Sequence, residues 1–189
     1  MNILHGLPKK VVFCSKCLMS NQRPSSSPEF VKKDSAISTA GFDNRGICDA
    51  CNLAQLKKTI DWEKRFKLLE SLCDKYRKGD GSYDVVVPGS GGKDSAYTAH
   101  ILKYKYKMNP LTVTWAPHLY TDIGWSNFSN WMHAGGLDNI LYTPNGKLHR
   151  LLTRLSFLNL LHPFQPFIIG QRIIGPSMAK KFGIKLVMY

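Results

Sequence analysis

A β-branched run that passes directly into glycines and then into a helix leaves few folds open. Here Tyr83-Asp84-Val85-Val86-Val87 reads as a short buried strand. Pro88-Gly89-Ser90-Gly91-Gly92 follows at once, and from Asp94 to Tyr106 the apolar residues Ala96, Ala99, Leu102 and Tyr106 fall on one helical face. The alternation continues. Pro110 to Trp115 is a second strand, and Ile123 to His133 is a helix ended by Gly135-Gly136. Asn139 to Tyr142 is a third strand, Leu148 to Leu161 is helical, and so is roughly Gln171 to Phe182. Ile184 to Tyr189 is a fourth strand. Strands alternating with helices predict an α/β fold, a parallel sheet with helices on both faces. Such sheets bind ligands beyond the carboxyl ends of their strands. The glycine run follows the carboxyl end of the first strand, so it lies where a ligand belongs.

The rest of the chain is organised around that domain. Residues 1–58 are short broken segments rich in Ser, Pro, Gly and Asn, residues 59–82 read as a connecting helix and loop, and residues 83–189 carry the α/β pattern. Helical periodicity begins at Leu53 and runs to Tyr76, before Lys78-Gly79-Asp80-Gly81-Ser82 breaks it. No apolar stretch approaches the ~20 residues of a membrane span, and residues 1–10 lack a signal-peptide core, so no membrane role is expected and the location expected is cytoplasmic. The net charge of +13, from 26 basic and 13 acidic residues, favours polyanionic partners: nucleotides, phosphorylated sugars, RNA or an acidic protein surface. The charge is spread in short clusters, so a solvated basic surface explains it equally well.

The glycine run is not a Walker loop. With Gly92-Lys93 as its Gly-Lys pair, the first glycine falls on Val87 and the final Ser/Thr falls on Asp94. Ser90-Gly91-Gly92-Lys93-Asp94-Ser95 is nonetheless built for a pyrophosphate. The amides of Gly91, Gly92 and Lys93, together with the N-terminus of the next helix, form an anion cradle. Ser90 and Ser95 add hydroxyls, and Lys93 neutralises phosphate charge. Asp94 would repel a bare phosphate, so its expected role is to hold Mg²⁺ against the phosphates of ATP.

The N-terminal segment carries a second chemistry. Cys14-x2-Cys17 and Cys48-x2-Cys51 are separated by 30 residues, and a fifth cysteine, Cys73, falls on the apolar helix face. Two such pairs complete a tetrahedral thiolate site of the structural Zn²⁺ kind. The intervening segment would form a β-hairpin through Phe30-Val31 and Ile37 to Phe42. The expectation is a zinc-ribbon-like module whose metal replaces a core that residues 1–58 cannot build. The bland alternative is reduced cysteines in a loosely ordered arm.

Ser90 to Ser95 resembles the signature of the PP-loop ATP pyrophosphatases, which have the adenine nucleotide alpha hydrolase-like fold. The resemblance implies that ATP adenylates a carbonyl-type oxygen, pyrophosphate leaves, and a nucleophile displaces AMP. Further segments are similar to the N-acetyl sugar amidotransferases of lipopolysaccharide O-antigen and flagellin glycan synthesis. These are Trp115-Ala116-Pro117-His118, Thr121-Asp122-Ile123-Gly124 with Asn127, Gly135 to Asn139, Pro144 to Arg150, and Ile169-Gly170-Gln171-Arg172. This resemblance implies an N-acetylated nucleotide-sugar substrate, an acetamidino-sugar product and ammonia from a separate glutaminase subunit. That pairing would be similar to the two subunits of imidazole glycerol phosphate synthase. Members of the family continue past the Val187-Met188-Tyr189 strand with a Gly-Glu segment, so a C-terminally truncated member is expected.

The remaining candidates carry two readings each. Trp115 closes the second strand, where an adenine-edge contact competes with core packing. Asp122 is a helix N-cap or a sugar-hydroxyl ligand, and Asn127 and Gln171 are further candidate substrate contacts. Gln171 and Arg172 are expected just before the last helix, where Arg172 either stabilises the adenylate or forms a surface salt bridge. His118 and His149 carry no assignment. Two other functions stay open: a tRNA-thiolating PP-loop enzyme, disfavoured because residues 74–189 contain no cysteine, and an inactive zinc- and nucleotide-binding fragment.

Overall fold

The computed structural model describes residues 7–24 and 39–189. They fall into two compact units, Met1–Glu63 and Lys64–Tyr189. In the first, antiparallel bridges join Phe13 to Ser20, Pro24 to Thr39 and Phe42 to Cys48. The expected hairpin lies outside the described residues except near its end, where Thr39 and Phe42 make two of these bridges. Helix α1 (Asp49–Lys58) follows.

The single helical run expected from Leu53 to Tyr76 is two helices. Thr59 caps α1, its hydroxyl donating to the Leu56 carbonyl at 2.8 Å, and α2 (Trp62–Tyr76) starts afresh. A threonine that bonds back to the preceding turn competes with the helix ladder, which is why the chain breaks there.

The second unit is built on four parallel strands in the order β3-β2-β1-β4. They are β1 (Val85–Pro88), β2 (Pro110–Trp115), β3 (Asp138–Tyr142) and β4 (Leu186–Val187). Alternate residues of β1 serve opposite faces. Val85 and Val87 pack with Cys73, Leu102, Phe128 and Trp131, while Val86 packs with Leu111, Val113, Ile174 and Ala179. Burial on both faces explains why β1 reads as an unbroken apolar run. Cys73 is core, as its helical position implied. β4 is only two residues long, shorter than the strand expected over Ile184 to Tyr189.

The helices between the strands set the ligand edge. The first is α3 (Lys93–His100), which widens into a π-helical turn at Ile101–Lys105 closed by Tyr106 N–H to the Ile101 carbonyl at 3.0 Å. The others are α4 (Asp122–His133), α5 (Gly146–Leu160) and α6 (Gln165–Lys181). The chain steps from β1 to β2 to β3, then returns through α5 and α6 to place β4 on the other side of β1. Strand order therefore reverses at β1, which puts the ligand crevice at its carboxyl end.

At the opposite edge buried Asp84 accepts from the Lys78 and Asn109 amides at 2.8 and 2.7 Å, fixing the approach to β1. Between β2 and β3 the Asn139 side-chain amide donates to the Thr112 and Thr114 hydroxyls at 2.9 and 3.0 Å. Among the described residues no helix is long and apolar enough to cross a membrane.

Candidate functional site

The turn after β1 is shaped by one glycine in particular. Gly91 has φ +80°, a left-handed conformation that side chains rarely adopt, and a Cβ there would stand 2.8 Å from the Asn127 carbonyl oxygen. The loop can therefore lie on α4 only without a side chain at this position. Gly92 then caps α3 without a side-chain bond, and the first helical bond runs from Ala96 N–H to the Gly92 carbonyl. The amides of Lys93, Asp94 and Ser95 belong to the first turn, which has no intrahelical acceptors. The Ser95 hydroxyl donates to the Gly92 carbonyl at 3.1 Å and holds the turn. Lys93 Nζ lies 2.9 Å from Asp94 Oδ1, and both side chains stand almost wholly in solvent. An ammonium, a carboxylate and a row of free amides thus meet at one rim.

Beside the loop, a cavity of about 290 Å³ lies over the carboxyl ends of the strands. Its walls bring together Pro88 at the end of β1, Ser90 from the loop, Trp115 from β2, Gln171 and Arg172 from α6, and Tyr189 after β4. Pro88 and Tyr189 also border the space over Lys93, Asp94 and Ser95, about 430 Å³. Trp115 is both wall and packing. Tyr142 stacks on its ring at 5.0 Å between centroids, and a Cβ at Gly170 would run into the indole. Its ring N–H is buried, with no hydrogen-bond partner among the described residues. A purine-sized slot next to an anion cradle is chemically suited to a nucleoside polyphosphate.

The placement of the other candidates differs from the sequence reading in two respects. Gln171 and Arg172 do not precede α6 but lie inside it, because the helix begins at Gln165 and carries Pro166 in its first turn. The cap of α4 is Thr121, whose hydroxyl accepts from Gly124 N–H at 3.0 Å, while exposed Asp122 is the first helical residue. Asn127 borders a separate space of about 550 Å³ with Gly91, Tyr97 and His100. The three candidate substrate contacts are thus not gathered: Gln171 shares the cavity with Ser90 and Trp115, Asn127 lies on the far side of the loop, and Asp122 lines none of these spaces. Tyr142 and Tyr189 shape the site and had no individual signal in the sequence. Each is a lone aromatic whose partner comes from a distant element.

In the first unit the ligand atoms of Cys14, Cys17, Cys48 and Cys51 all lie within 4.8 Å of one another. Cys17 Sγ and Cys48 Sγ are 3.6 Å apart. That is too far for a disulfide and close to the sulfur–sulfur edge of roughly 3.8 Å that ~2.3 Å metal–sulfur bonds impose on a tetrahedron. Cys14 and Cys48 are fully buried. The Cys48 and Lys16 amides donate to Cys14 Sγ at 3.3 and 3.4 Å. Burial raises the Cys14 thiol pKa, but these amide bonds, with those from the Cys17 amide and the Cys48 side chain, together outweigh it and bring the thiol down. Cys51 is pushed up by bonding to Cys17 and by burial. Asp43 shapes the second turn, accepting from the Ile47 and Arg45 amides at 3.0 and 2.9 Å. Those bonds, with the Arg45 guanidinium, hold its carboxyl well below the usual range. The donor set and its spacing fit a four-thiolate metal site.

No protein-family model matches the chain. An uncharacterized protein of Methanocaldococcus jannaschii is 38% identical over 72 residues, which are 38% of this chain and 26% of that protein. An NH3-dependent NAD synthetase from Campylobacter jejuni, solved in complex with the nitrate ion, aligns at a TM-score of 0.47 and 17% identity. That alignment covers 68% of this chain and 56% of the synthetase. The chain therefore matches about a quarter of the curated relative's length and little more than half of the solved structure's.

Proposed function

We propose that the chain belongs to an ATP-dependent amidotransferase that converts the acetamido group of an N-acetylated nucleotide sugar into an acetamidine, for a surface polysaccharide or flagellin glycan. One observation carries this reading: the cavity that joins Ser90, Trp115, Gln171 and Arg172 beside a Ser-Gly-Gly-Lys-Asp-Ser turn at the strand-order reversal. The turn departs from the Walker pattern at Val87 and Asp94, so the chemistry it suits is release of pyrophosphate rather than of the terminal phosphate.

In this reading the β- and γ-phosphates sit on the amides after Gly91, with Lys93 neutralising their charge and Ser90 and Ser95 beside them. Asp94 holds Mg²⁺, which supplies charge neutralisation at the phosphates. The adenine edge meets Trp115. The acetamide oxygen attacks the α-phosphorus, pyrophosphate leaves, and the amide N–H gives up its proton. Ammonia then adds to the imidate carbon and the C–O bond to AMP breaks, which leaves the acetamidine. Arg172 stabilises the negative charge that builds up on the α-phosphate, while Asp122, Asn127 and Gln171 are the proposed sugar contacts. Ammonia comes from a separate glutaminase subunit, as the amidotransferase reading requires. The Cys14, Cys17, Cys48 and Cys51 cluster holds structural Zn²⁺ and takes no part in the reaction. The reading places the protein in the cytoplasm, with its nucleotide substrates, and needs no nucleic acid.

The test is ATP–pyrophosphate exchange with the chain and Mg²⁺. Exchange that requires an N-acetylated nucleotide sugar is the expected result. Exchange that instead requires tRNA would establish the RNA-modifying alternative and end this proposal.

A further inference from the structure

The carboxyl edge of the sheet holds a second cavity, away from the glycine turn. It measures about 320 Å³ and opens between the chain after β2, the chain after β3 and the first turns of α5. His118, Thr143, His149, Arg150 and Thr153 line it together with apolar and glycine positions, and none of its lining residues is acidic. Every ionisable group in the wall can therefore only be neutral or positive.

The two imidazoles are in ring contact, 4.8 Å between centroids. Phe167 lies 5.3 Å from the His118 ring and Trp115 lies 6.2 Å from that of His149. His149 Nε2 is buried with no hydrogen-bond partner among the described residues. Burial, and secondarily the His118 charge, push the His149 pKa below its ordinary value. A buried polar nitrogen without a partner is uncommon in native proteins, and here it belongs to a ring that lines a cavity.

The helix terminus does not account for this cavity. Asn145 caps α5 with its own side chain, accepting from the Lys147 and Leu148 amides, both at 3.1 Å. Two of the amides that an anion would use are thus taken. Recognition falls to the imidazoles, the guanidinium and the Thr143 hydroxyl, since the Thr153 hydroxyl already donates to the His149 carbonyl at 2.8 Å. Such a donor set suits a phosphoryl group, whose several oxygens accept from a guanidinium fork and from neutral N–H and O–H groups together.

We propose that this cavity is a second phosphoryl-binding site, separate from the glycine turn, and that it seats the diphosphate of the acceptor nucleotide. The identity of the acceptor rests on the amidotransferase reading; the phosphoryl site itself does not. The two sites share β2, because Trp115 walls the first cavity and the chain immediately after it, Ala116 to His118, lines the second. An acceptor anchored here would extend its sugar along the strand ends towards the ATP cavity.

The experiment is calorimetric titration of the full chain with UDP, with inorganic phosphate and with UDP-N-acetylglucosamine, each with the glycine turn saturated by a non-hydrolysable ATP analogue and Mg²⁺. UDP and the nucleotide sugar are expected to bind, with inorganic phosphate at least tenfold weaker; preference for inorganic phosphate would overturn the assignment to an acceptor nucleotide. Arg150→Ala and His118→Gln should each weaken UDP at least tenfold and leave the ATP analogue unaffected. Both side chains are exposed, and an unchanged unfolding midpoint verifies that the variants fold. No UDP binding by the analogue-saturated protein, or equal binding by wild type and both variants, would overturn the proposal. UDP binding that needs Arg150, without sugar-dependent pyrophosphate exchange, would leave the phosphoryl site standing and remove the amidotransferase reading alone.

Discussion

Gly91 concentrates the demands of the proposed nucleotide site in a single Cα. Its left-handed φ and its approach to the Asn127 carbonyl oxygen and the Phe128 Cα each exclude a side chain. Gly91→Ala is expected to cost about 1–2 kcal/mol from the backbone conformation alone. The collision with α4 adds to that and shifts the turn, so ATP-analogue affinity should fall together with the denaturation midpoint. Wild-type affinity would show that the turn does not hold phosphate. Arg172 makes the contrasting case. It is exposed on α6, so Arg172→Ala should change stability by no more than about 0.5 kcal/mol. If it stabilises the adenylate, turnover should fall about a hundredfold, and unchanged turnover by the assembled enzyme would remove it from the site. Asp84 completes the residue scale from the opposite edge of the sheet. Two amides converge on its buried carboxylate, so Asp84→Ala should cost about 2–3 kcal/mol in urea denaturation without altering nucleotide affinity.

At the scale of elements, the cysteine turns form a unit whose parts have few other reasons to hold together. α1 buries no residue, and the described strands of that unit are single bridges. If the cysteine cluster holds a metal, a chelator should therefore unfold the described residues 7–24 and 39–63 and leave the α/β unit intact. Circular dichroism with proteolysis would read this as loss of the N-terminal fragment only. Resistance of that fragment to protease after chelation would show that the cluster is not its core. The elements also show what the sequence disclosed and why. β1, its glycine turn and the helix after it were legible because each obeys a local rule: an unbroken β-branched run, a glycine cluster, helical spacing. The start of α6 was not. Gly170 looks like a breaker, yet it sits inside the helix because Trp115, 55 residues earlier in the chain, packs where its side chain would be. Pro166 in the first turn was the available local signal. Asp122 against Thr121 was undecidable from composition, since both residue types cap helices. The gathering of Ser90, Trp115, Gln171 and Arg172 in one cavity depends on the order of the strands, which no local pattern encodes.

At the scale of the whole molecule, α5 runs against the ordinary logic of an amphipathic helix. Its apolar stripe is Leu148, Leu151, Leu152, Leu155 and Leu158, and these side chains are 42–62% exposed. The positions turned towards the body are half-buried His149, Thr153 and Ser156. His149 is committed to the second cavity, so the helix cannot rotate its leucines inward without dismantling that wall. Isolated surface leucines need no explanation, but a contiguous stripe of this kind marks an association surface. Phe157, Leu160, Leu161 and Phe164 extend the exposed apolar surface at the carboxyl end of the helix. The chain should therefore self-associate as its concentration rises through the micromolar range, read as a rising sedimentation coefficient. Leu151→Glu with Leu155→Glu should return it to a monomer. Because both leucines are exposed, the double variant should keep the wild-type unfolding midpoint to within about 1 kcal/mol. A wild-type chain that stays monomeric to about 100 µM, where weak protein contacts are normally populated, would show that this stripe does not drive association by itself.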